Sequence, residues 1–70
     1  MTTNPWDLSP TLTRAIDAVI NHGTHKHAAR ALGVDPQIVT DRMKRIRRVM
    51  GANSSVIAVI KWDRWKRGGQ

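Results

Sequence analysis

Leu12, Ala15, Ile16, Val19 and Ile20 recur at spacings of three and four, which places them on one face of a helix. Ser9 can cap that helix, and Pro10 fits its first position, where a missing N–H costs nothing. Asn21-His22-Gly23 closes it, with Gly23 suited to the left-handed cap. Thr24 caps a short second helix that buries Ala28, Ala29 and Leu32 and ends at Gly33. Val34 is expected to be buried in the turn. Asp35-Pro36 repeats the opening signal for a third helix, in which Val39, Met43, Ile46 and Met50 form the inward stripe and Gly51 stops the run. Asn53 or Ser54 opens a fourth helix. No run alternates with the period of two that a strand requires.

The pattern predicts an all-α fold without a sheet. Four helices span about residues 10–22, 25–32, 36–50 and 54–66 of a single domain over 9–67. Residues 1–8 are read as an arm pinned by Trp6 and Leu8, and 68–70 as a flexible tail. A turn of about three residues containing glycine, between the second and third helices, is the signature of a helix-turn-helix.

Charge adds what the pattern lacks. Twelve Lys and Arg stand against five acids, all Asp, for a net charge of +7. Such a balance suits nucleic acid, and it also suits anionic membranes and acidic proteins, so the distribution decides. Five of the cations fall between Arg42 and Arg48, and four between Lys61 and Arg67. At about 100° per residue, the face of the third helix opposite its stripe carries Gln37, Asp41, Lys44, Arg45 and Arg48. Thr40 lies near the edge, and Arg42 and Arg47 sit on the flanks. The first turns offer groups that read base edges, and the later turns offer cations for phosphate. Gln37, Thr40, Asp41 and Lys44 are therefore placed near bases, and Arg42, Arg45, Arg47 and Arg48 near the backbone. Thr24 and Lys26, at the start of the second helix, add phosphate contacts. Asp41 faces outward, where it repels phosphate. It either accepts from a cytosine amino group or pairs with Arg45 at i, i+4, and the pairing is the favoured expectation.

The stretch "LSPTLTRAIDAVINHGTHKHAARALGVDPQIVTDRMKRIRRVMGANSSVIAV", residues 8–59, resembles the DNA-binding domain of LuxR-type (GerE-like) regulators. The shorter "HGTHKHAARALGVDPQIVTDRMKRI", residues 22–46, resembles the helix-turn-helix of LysR-type regulators. After residue 50 the second likeness weakens, because an apolar helix stands where that family has a β-wing. A compact LuxR-like four-helix arrangement is accordingly expected. Both resemblances imply sequence-specific duplex binding through the third helix, with Thr40 and Asp41 near bases. The LuxR likeness adds Lys44, and the LysR likeness adds Pro36 and Gln37. Ile38 and Thr40 depart from the threonine and lysine usual in LuxR-type domains, and Asp41 from the arginine frequent in LysR-type proteins. The target sequence is not carried over. No sensor or receiver domain is present, so a free-standing module from a phage or mobile element is the expected setting.

Val56, Ile57, Val59 and Ile60, extended by Trp62 and Trp65, give the fourth helix a broad apolar face. Either it closes a small core, with the tryptophans against the first helix and the arm, or it forms a dimer or partner surface, as the LuxR likeness implies. The two are compatible. A membrane-surface helix is disfavoured, since its polar face is not separated, and no run reaches the ~20 residues of a span. No secretion signal or cysteine is present, which points to a cytoplasmic protein. His22, His25 and His27 lack metal-ligand spacing, and no nucleophile-base set is found. The sequence thus predicts no enzyme, metal or cofactor. It predicts a duplex-DNA-binding transcription regulator, acting as a homodimer, that associates with the nucleoid of a bacterial or phage-infected cell. The competing expectation is an interaction protein that binds a host polymerase, sigma factor or regulator, and a third is the DNA-recognition part of a packaging or recombination complex.

Overall fold

The structure, a computed structural model, describes residues 4–68. It is all-α, as the pattern predicts. The helices are α1 (Pro10–His22), α2 (His25–Leu32), α3 (Pro36–Met50) and α4 (Ser55–Lys66), and no strand occurs among the described residues. None of these helices is long and apolar enough to cross a membrane.

Local chemistry sets the boundaries. Each helix opens on an oxygen that accepts an otherwise orphaned backbone N–H. Ser9 takes that of Leu12, Thr24 that of His27, Asp35 that of Gln37 and Ser54 that of Ile57. Ser54 is thus the cap of α4, and the helix proper begins one residue later than expected. Gly33 ends α2 in the left-handed region at φ 71°, where its N–H reaches the carbonyls of Ala29 and Arg30. A Cβ added there would meet no atom within 4 Å, so only the backbone conformation opposes a side chain. Gly33→Ala is expected to cost about 1–2 kcal/mol. Urea unfolding should show this as a lower midpoint with an unchanged slope.

Ile16, Val39, Met43 and Ile46 are the largest side chains fully removed from solvent. Ala15 on α1, Ala28 and Ala29 on α2 and Ala58 on α4 are buried with them, and their small size lets the helices close on a short core. Leu32 and Val34 are half-buried at its edge, so Val34 is less enclosed than expected.

The amino-terminal segment is docked over its described part. Asn4 Oδ1 accepts from Leu8 N at 2.8 Å, and Asn4 Nδ2 donates to Leu8 O at 3.3 Å. Both residues are buried. The Trp6 ring lies 6.1 Å from Trp62 and 6.3 Å from Trp65, and those two rings are 5.0 Å apart. The expected arm is therefore fixed to α4 from Asn4 onward. Residues 1–3, and 69–70 of the expected tail, lie outside the described residues.

Candidate nucleic-acid interface

Three residues, 33–35, join α2 to α3. The Asp35 carboxylate, accepting from Gln37 N at 2.8 Å, and Pro36 at the first helical position fix where α3 starts. Val39, Met43, Ile46 and Met50 are all buried, which settles the rotation of the helix about its axis. Gln37, Asp41, Lys44, Arg45 and Arg48 are consequently exposed, as the wheel predicts. Pro36 is exposed beside them and presents only an apolar ring.

Electrostatics leave this face unneutralised. The ion pairs among the described residues are Lys66–Asp17 at 3.2 Å and Arg67–Asp63 at 3.1 Å, and neither involves α3. Lys44, Arg47, Arg48 and Ala52 line a shallow hollow of about 410 Å³ where α3 passes into α4.

Several expected contacts are already occupied. Asp41 does not pair with Arg45. Its Oδ1 accepts from Gln37 Nε2 at 3.0 Å, one turn earlier. Thr40 is half-buried, and its hydroxyl is hydrogen-bonded to His25 Nδ1 at 3.2 Å, which takes up one of its three hydrogen-bonding sites. Thr24, expected at phosphate, spends its oxygen on capping α2 and on His27 Nδ1 at 3.1 Å. Arg47 is half-buried, donates from Nη2 to Asn53 O at 2.7 Å, and keeps its Nε buried without a partner. It braces the α3–α4 corner as well as lining the hollow. Lys61 Nζ reinforces that corner by donating to Met50 O at 3.3 Å. Lys26 is exposed and Arg42 half-buried, both outside any ion pair.

The fourth helix needs the largest correction. Trp62 takes the core-closing one of its two expected places and not the partner surface: it is 3% exposed and donates from Nε1 to Asp17 Oδ1 at 2.8 Å. It cannot meet a partner, because it closes the core and links α4 to α1. Trp65 is half-buried in the same cluster and presents at most one edge. The exposed side consists of Val56 at 68%, Ile60 at 49% and Ile57. Val59 is half-buried beside them, and with Val19, Ile20, Val56 and Ile60 it lines a groove of about 420 Å³ between α1 and α4. His25 was expected only as a histidine at the surface near the start of the second helix; it lines that groove and also holds Thr40. Only the tertiary fold brings residues 25 and 40 together, so no local signal identifies the pair. Ile38 and Val49, exposed on the flank of α3 near Arg42 and Arg45, were also not anticipated.

Compared with known proteins, the chain matches no family model, no curated protein and no solved structure.

Proposed function

We propose that the protein is a small sequence-specific regulator that binds duplex DNA, with α2 and α3 as a helix-turn-helix and α3 in the major groove. One observation carries this reading. A helix that follows a short helix after a three-residue turn presents an exposed basic strip whose cations form no ion pair. An α-helix fits the major groove, and its first turns approach the bases. Gln37, Asp41 and Lys44 are the base-facing groups, with Thr40 in a reduced role and Pro36 offering apolar contact. Arg45 and Arg48 meet the backbone, with Arg42, Arg47 and Lys26 at the margins. The likeness to LuxR-type and LysR-type domains supports the same placement.

A single copy of this size buries little surface on DNA, so the working form is a homodimer joined through the exposed side of α4. Replacing Val56 and Ile60 together by Asp is expected to give a folded monomer. Sedimentation equilibrium checks the mass, and affinity for a two-fold site should fall to that of one half-site. Selection from a random duplex pool tests the function itself, and enrichment of a palindrome is the expected result. The same apolar side, with Asp41 outward, favours a second reading in which α4 docks on a transcription protein of the host. Absence of any duplex retardation at low salt supports that alternative.

A further inference from the structure

Asp41 is an unneutralised negative charge in the middle of a basic face. On a helix it is a neighbour of Lys44 at i+3 and Arg45 at i+4. Neither forms an ion pair with it. Its Oδ1 is instead held by Gln37 Nε2 at 3.0 Å. Gln37 is anchored in turn, because its backbone N–H is bound by the Asp35 cap at 2.8 Å. Two exposed side chains one turn apart thus bond to each other beside the capped start of α3.

The remaining hydrogen-bonding capacity of this pair is lopsided. Asp41 keeps Oδ2 and a second lone pair on Oδ1, and Gln37 keeps its carbonyl oxygen and one N–H. Acceptors outnumber donors, and the pair carries a full negative charge. A phosphate is rejected there. So are guanine, which shows only acceptors in the major groove, and thymine, which shows a carbonyl and a methyl group. Adenine shows an amino group beside the N7 acceptor, which the carboxylate repels and only the one remaining Gln37 N–H meets. Cytosine shows its N4 amino group without a flanking acceptor.

We infer that the Gln37–Asp41 pair is the specificity element of α3 and selects cytosine through its exocyclic amino group. The inference rests on the duplex-binding reading. It assigns the carboxylate a double role, since the charge that favours one base edge also weakens attachment to duplex of any other sequence.

Measure fluorescence anisotropy on the selected duplex, with each base pair exchanged in turn, for the wild type, Asp41→Ala and Asp41→Asn. Circular dichroism confirms that each variant is folded. The wild type should prefer cytosine at one position of each half-site by roughly 5- to 100-fold. Asp41→Ala should erase that preference and bind random-sequence duplex more tightly. Asp41→Asn should move the preference toward adenine, whose N6 and N7 an amide meets in two bonds. Duplex binding by the wild type with no cytosine preference, or an unchanged preference in Asp41→Ala, overturns the inference and leaves the duplex reading standing. If the wild type binds no duplex at low salt, both fall, and the outward carboxylate belongs to a protein interface.

Discussion

Alanine at both Arg45 and Arg48 is expected to weaken duplex binding about 30-fold at 0.15 M monovalent salt and to lower the salt slope by about 1.8. The figures follow from counterion release. Each neutralised phosphate contributes about 0.9 to the slope of log K against log salt, which is a factor of about 5 in affinity at that concentration. Both side chains are exposed on α3, and neither forms an ion pair with an acid. Their removal should therefore leave thermal unfolding nearly unchanged. Anisotropy titrations between 50 and 300 mM salt provide the slope. Unchanged affinity and slope in the double variant would place the DNA elsewhere.

Trp62→Ala is expected to cost about 3–5 kcal/mol, the range for truncating a buried large aromatic side chain. The whole domain has roughly 4–10 kcal/mol at this length, so the variant should lose a large share of it and unfold at a clearly lower denaturant concentration. Two losses combine at this residue. The ring leaves a cavity between α4 and the core, and Asp17 loses the indole donor at 2.8 Å. Trp62→Phe separates them, since it keeps most of the ring and removes the donor. That variant should fold and lose about 1.5–3 kcal/mol, in line with a hydrogen bond to a charged group. Guanidinium melts followed by far-ultraviolet circular dichroism measure both. A Trp62→Ala protein as stable as the wild type would contradict its place in the core.

Local signals made most of the fold legible. Ser9-Pro10, Thr24, Gly33, Asp35-Pro36 and Gly51 mark helix ends through chemistry that acts within four residues, so the boundaries follow directly from the chain. The rotation of α3 followed as well, because its apolar residues form one stripe. On α4 the apolar residues surround the axis and give no such direction. Size misleads there, because the buried pair is Ala58 and Trp62, one turn apart, while Val56, Ile57 and Ile60 face out. Alanine at 58 permits the close approach that puts the indole inside.

The candidate site was legible as a face and less so in its partners. Gln37–Asp41 lies at a spacing known to favour amide–carboxylate bonds, yet charge drew the expectation to Arg45. His25–Thr40 and Arg47–Asn53 join residues across a turn or between helices, and their pairing depends on how the elements meet.

The tryptophan cluster also governs how this molecule is seen by light. The chain has three Trp and neither Tyr nor Phe, and all three rings meet where the amino-terminal segment crosses α4. Its near-ultraviolet absorption and emission therefore originate in that corner, and α3 is optically silent. A steady emission signal during a titration would report an undisturbed corner and would carry no information about what α3 has bound.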